Sequence, residues 1–111
     1  MSNKIEEILS TEYSEEFDRI RKNMMVTSYY KYGPIKENYK TEKTIDAIGS
    51  LKLRLEEFEK TGNTELLADV ANFAMIEFMY SQHPKAHYKP TDSGACEIEG
   101  FGVNEIKNFD K

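Results

Sequence analysis

The run TELLADVANFAMIEFM, residues 64–79, constrains the fold of this chain more than any other stretch. Wound as a helix at roughly 100° per residue, it presents Leu66, Leu67, Val70, Ala71, Phe73, Ala74, Met75, Phe78 and Met79 over most of its circumference. A helix apolar on nearly every side belongs in the middle of its fold, because exposing it forfeits ~25 cal/mol per Å² of apolar surface. The exceptions are Glu65, Asp69 and Asn72, which follow one another at i, i+4 and i+7 and so share one narrow band, with Ile76 continuing it. Such a seam either looks out to solvent through a slot or lines a site. Glu77 falls on the side of Val70 and Phe73, where an unpaired carboxylate is costly.

The remaining helix signals surround this one. Ser14 followed by Glu15 and Glu16 reads as an N-cap with acids in the first turn, opening a helix that runs to about Tyr32 and stops at Gly33-Pro34. Phe17, Ile20 and Met24 recur on one side of it, and Met25, Tyr29 and Tyr32 on another. A second helix is expected to start near Thr41 or Lys43, to carry the stripe Ile48, Leu51, Leu55 and Phe58, and to end at Thr61-Gly62-Asn63. The apolar helix follows with Thr64 as N-cap and continues to about Gln82, where His83-Pro84 stops it. The short Gly-Asn turn makes these two an antiparallel pair. The reading is an all-α antiparallel bundle of three to four helices over residues 1–82, with an irregular, extended C-terminal tail over residues 83–111 that packs on the bundle or on a partner subunit.

Composition narrows the function. Fifteen Lys and Arg against 20 Asp and Glu give a formal charge of −5, which disfavours charge-driven binding to nucleic acid or to an anionic membrane. The single cysteine, Cys96, excludes an intramolecular disulfide and fits a reducing compartment. No apolar run approaches the ~20 residues of a membrane span, and MSNKIEEILS lacks the apolar core of a signal peptide, so a cytoplasmic location is expected. There is no nucleophile elbow or phosphate-binding glycine loop.

The second helix repeats the polar stripe, with Asp46, Ser50, Leu53 and Glu57 sharing one face. Carboxylates on facing antiparallel helices suit Mg²⁺, which takes oxygen ligands and bridges to phosphates. Asp46, Glu57, Glu65 and Asp69 are then the candidate ligands, with Glu65 or Asp69 positioning the attacking water. Lys31, Lys52 and Arg54 are candidates for neutralising phosphate, and Asn72 for orienting the nucleotide. In a chain that is 32% charged, acids at helical spacing also describe an ordinary solvated face, Asp69 also describes the partner of a neighbouring Lys or Arg, and Asn72 also describes a satisfied core amide.

The segment LKLRLEEFEKTGNTELLADVANFAMIEF resembles the short, often phage-encoded, MazG-like members of the all-α NTP pyrophosphohydrolases. An acid-bearing helix, a Gly-Asn turn and a following helix with DVANFAM, similar to that group's D-[VIL]-A-x-[YF]-A signature, carry the resemblance. It implies Mg²⁺ held by acids on two helices, hydrolysis of a nucleoside triphosphate to monophosphate and pyrophosphate, and Asp69 as the last metal-binding aspartate. The family's E-E-x-x-E and E-x-x-D spacings are incomplete: Glu56-Glu57 is followed by Lys60, Leu66 stands three before Asp69, and Arg19 takes the third position after Glu15-Glu16. Either the site is rebuilt or catalysis is lost.

SYYKYGPIKENY sets tyrosines among lysines around a Gly-Pro turn, which makes Tyr32 beside Lys31 a candidate for stacking a base. His83, His87, Asp92 and Cys96 offer zinc ligands only superficially, since Pro84 and Pro90 interrupt the spacing and one thiol is present. Two functions stay open: a Mg²⁺-dependent or nucleotide-binding MazG-like protein, expected as a homo-oligomer because three helices leave Met25, Tyr29 and Phe73 needing cover, and a small phage or mobile-element interaction protein that blocks a protein partner or sequesters a nucleotide without catalysis.

Overall fold

A computed structural model describes residues 3–41 and 45–91, and the architecture among them is all-α, with no strand. Four α-helices, α1 (Lys4–Glu12), α2 (Glu15–Tyr32), α3 (Ala47–Thr61) and α4 (Glu65–Met79), are joined by a π-helical turn at Lys36–Thr41 between α2 and α3. No helix of the described residues is long and apolar enough to cross a membrane.

The signals for α2 act as expected. The Ser14 hydroxyl accepts the Phe17 N–H at 3.0 Å, and Gly33, at φ 85°, ends the helix with its N–H on the Tyr29 carbonyl. The α3–α4 turn is also as read, with Gly62 in the left-handed conformation at φ 73°, its N–H bonded to the Phe58 carbonyl at 2.7 Å. Four details differ. The charged opening is itself a helix, α1, capped by Asn3, whose side chain accepts the Ile5 N–H. The helix α3 begins at Ala47, not at residues 41–43, because Asp46 turns its carboxylate onto the Gly49 N–H at 2.9 Å and fixes the start. Thr64 makes no side-chain cap on α4, and Asn63 does that work instead, accepting the Glu65 N–H at 3.1 Å. Finally α4 ends at Met79, where Tyr80 closes it onto the Ile76 carbonyl.

The apolar helix is central, as its composition requires: α4 packs along α3 as an antiparallel hairpin and takes α2 across its other side. Leu66, Ala68, Asn72 and Ile76 are its buried residues. The core cluster gathers Tyr39, Ala47 and Ile76, with Met25, Ile35, Ile45, Phe73 and Tyr80 packed around it. Tyr39 is the largest fully buried side chain among the described residues, so the turn after Gly33-Pro34 supplies the heart of the core. By contrast, α2 buries no residue completely and α3 buries only Ala47. The C-terminal tail beyond residue 91, with Asp92 and Cys96, lies outside the described residues.

Candidate functional site

The interior polar residue of α4 is Asn72, 5% exposed. Its Nδ2 donates to the backbone carbonyl of Arg21 on α2 at 3.0 Å, while its Oδ1 is buried without a partner. This bond and the contact of Arg21 Nη1 with Met75 Sδ, at 3.5 Å, stitch α2 to α4. The Arg21 side chain is itself held by Asp18 at 2.9 Å. The seam on α4 therefore passes from solvent at Glu65, through the half-buried Asp69, to the interior at Asn72.

Around its outer half lies a groove of about 620 Å³ between α2 and the α3–α4 hairpin. Five of the residues singled out from the sequence line it: Lys31 and Tyr32 from the end of α2, Arg54 from α3, and Glu65 and Asp69 from α4. Arg19, Ile20, Asn23, Met24, Thr27 and Ser28 complete the α2 wall. Sequence reasoning missed Arg19 and Asn23 as site residues, although Arg19, Asn23, Thr27 and Lys31 stand four apart and so form a legible polar stripe. A second, more apolar recess of about 330 Å³ adjoins the groove, sharing Met24, Ser28, Tyr32 and Asp69 with it and reaching Met25, Phe73, Ile76 and Asn72.

The electrostatics of the groove centre on Arg54. Its Nε lies 3.7 Å from Asp69 Oδ2 and its Nη1 lies 3.4 Å from Glu57 Oε2. Burial holds the Asp69 carboxyl above the ordinary aspartate range, Arg54 opposes that shift, and the charges of Glu65 and Glu57 add to it. Arg19 is paired with Glu16, whereas Lys31 has no ion-pair or hydrogen-bond partner among the described residues.

The other candidates lie elsewhere. Asp46 caps α3, and its carboxylate is packed so closely on Gly49 that a Cβ there would meet Oδ2 at 2.3 Å. Lys52 is exposed and does not line the groove. Glu57 borders a neighbouring hollow of about 490 Å³ with Arg54 and Lys60. Among the described residues no group of three His, Cys, Asp or Glu side chains converges as metal ligands do. Arg54 pairs with Glu57 and Asp69, and Asp46 is committed to the cap of α3. His83 and His87 are each bonded to the backbone of Lys85, at 2.9 and 2.8 Å.

Glu77, the costly carboxylate of α4, is satisfied by a second cluster. It accepts hydrogen bonds from the Tyr39 hydroxyl, the Ser81 hydroxyl and the Gln82 N–H, and the bonds from Ser81 and Tyr39 hold its carboxyl below the ordinary glutamate range. Burial, reinforced by Glu77, pushes the Tyr39 hydroxyl up to about 12. Gln82 Nε2 in turn donates to the carbonyls of Tyr39, at 2.9 Å, and Ile45, at 3.2 Å. These bonds fasten the segment between α2 and α3 to the end of α4.

Comparison of the chain with models of protein families, with curated proteins and with solved structures found no match.

Proposed function

We propose that the chain binds a nucleotide, or a phosphorylated small molecule of the same build, in the groove between α2 and the α3–α4 hairpin, and holds it without hydrolysing it. The observation that carries this reading is Lys31, without a partner among the described residues, at a groove that also contains Arg19 and Arg54, next to an apolar recess walled by Met24, Phe73 and Ile76. Cationic side chains beside one end and an apolar slot beside the other match the two halves of a nucleotide, phosphate and base. Tyr32 lines both cavities, which supports its stacking against the base or sugar in this reading.

The test is calorimetric titration of the full chain with nucleoside mono-, di- and triphosphates, with and without Mg²⁺. Binding that does not need Mg²⁺ and weakens about tenfold in Lys31→Ala is expected; heat-silent titrations across the panel overturn the reading and leave the groove to a protein partner.

A Mg²⁺-dependent pyrophosphohydrolase related to the MazG-like enzymes is the second reading. It is favoured by the acids Glu57 and Glu65 acting together on the half-buried Asp69, and opposed by Arg54 among them. Pyrophosphate release that requires Mg²⁺ and disappears in Asp69→Ala would establish it in place of the first.

A further inference from the structure

The apolar recess beside the groove has polar residues in its wall that its greasy character does not call for. Its volume, about 330 Å³, stands at the low end of the ~300–1,000 Å³ usual for small-molecule sites, so it admits one part of a ligand and not a whole nucleotide. Met24 of α2 and Phe73 of α4 are on its walls, and polarizable and aromatic side chains suit the flat faces of a base. The polar atoms then decide which base.

Two polar residues of α4 line the recess, Asp69 and Asn72, at i and i+3 and therefore on one side of the helix. Both present acceptors. The Nδ2 of Asn72 is spent on the Arg21 carbonyl at 3.0 Å, and its Oδ1 is buried without a hydrogen bond among the described residues. A carboxylate has no donor, and Asp69 accepts no hydrogen bond among the described residues, since Arg54 Nε, at 3.7 Å, is beyond hydrogen-bond distance. A buried acceptor left unmet costs the fold, and a guest that donates to it recovers that loss.

We propose that the recess takes the base of a guanine nucleotide, whose N1–H and N2 amino group donate to Asn72 Oδ1 and to the Asp69 carboxylate. The proposal rests on the reading of the groove as a nucleotide site and adds the identity of the base. Among the common bases guanine alone sets two adjacent donors on its Watson–Crick edge. Adenine and cytosine set a ring acceptor beside their amino group, and uracil holds its one N–H between two carbonyls, so each of them would turn an acceptor onto an acceptor. The Ser28 and Ser50 hydroxyls, also on the walls, donate as well as accept and can meet the guanine O6. Asp69 lines both cavities and Asn72 lines the recess, so the base edge runs inward from their junction while the phosphate stays with Lys31 and Arg54 in the groove.

Calorimetric titration of the full chain, without Mg²⁺, with GMP, IMP, AMP and ribose 5-phosphate tests this on the ligand side, where no variant has to fold. IMP keeps N1–H and lacks the N2 amino group, AMP breaks the donor pair, and ribose 5-phosphate has no base. GMP is expected to bind about tenfold more tightly than IMP, with AMP weaker again and ribose 5-phosphate weakest. On the protein side, Asn72→Leu, with helix content verified by circular dichroism, is expected to weaken GMP about tenfold and to leave ribose 5-phosphate unchanged. Asp69→Asn, which sets an amide donor beside the remaining acceptor, is expected to shrink the preference for GMP over AMP. GMP, IMP and AMP bound alike overturn the guanine assignment and leave the nucleotide reading standing, as does a folded Asn72→Leu that binds GMP like the wild type. Silence with all four ligands overturns the nucleotide reading and the guanine assignment with it.

Discussion

The side-chain amide of Asn72 donates across the α2–α4 seam to the carbonyl of Arg21, and this bond leaves its own oxygen buried and unpartnered. The residue thus gives one hydrogen bond and carries the desolvation cost of an unmet acceptor. A buried polar group in that position contributes little net stability, because a net bond of ~1 kcal/mol is offset by an orphan costing ~1–3 kcal/mol. Asn72→Leu, which removes both, is expected to change unfolding free energy by no more than about 1 kcal/mol. Asn72→Asp, which leaves a buried charge, is expected to cost about 3 kcal/mol or more. Urea denaturation of the two variants measures the pair.

Asp69 predicts the opposite pH response to an ordinary salt-bridged aspartate. Its carboxyl holds a proton more tightly in the folded chain than in the unfolded one, so folding is disfavoured as pH rises above the ordinary aspartate range, 3.8. Asp69→Asn is therefore expected to melt above the wild type at neutral pH, with the gap closing as the solution is acidified. A variant that melts lower at neutral pH would show that the contact with Arg54 outweighs desolvation.

The Tyr39–Glu77 cluster responds at both ends of the pH scale. Glu77, held below 4.5, contributes stability that is present above that value and lost as pH falls through its folded range. Tyr39, raised from 10.0 to about 12, contributes stability that is present below 10.0 and lost on the way to 12. Tyr39→Phe is expected to cost about 1–2 kcal/mol at pH 7 and to remove the alkaline loss. Thermal melts from pH 3 to pH 11 would show both limbs in the wild type and one in the variant.

Gly49→Ala is expected to displace the Asp46 carboxylate, because the new methyl group occupies its place. Loss of that cap costs about 1 kcal/mol. The double variant Asp46→Ala, Gly49→Ala is expected to cost hardly more than either change alone, a non-additivity that denaturation of the three variants would detect.

How much of this was legible depends on how local each cause is. Helix α2, the α3–α4 turn and the central place of α4 follow from caps, Gly62 and apolar patterning within a few residues, and these stood out in the sequence. The seam on α4 was legible as a stripe, but its depth was not: Glu65 and Asn72 share an azimuth, and only the crossing of α2 decides that one is wet and the other dry. The groove residues Lys31, Tyr32 and Arg54 were legible as types suited to phosphate and base, and Asp69 as one suited to a metal ion. That Asp69 pairs with a neighbouring Lys or Arg was legible too, but not that the partner is Arg54, because the two come from separate helices. Tyr39 escaped notice for a similar reason. It lies in a short polar run, KENYKT, and is buried only because Glu77 and Gln82, far along the chain, supply its partners.

The walls of the groove of about 620 Å³ belong to two elements, α2 on one side and the helical hairpin on the other, held among the described residues across a seam with few polar bonds. Any guest that touches both acts as a rivet between them. Occupancy is thereby coupled to the cohesion of the whole chain, so a change in its heat resistance would announce the guest before any chemical change in that guest could be detected.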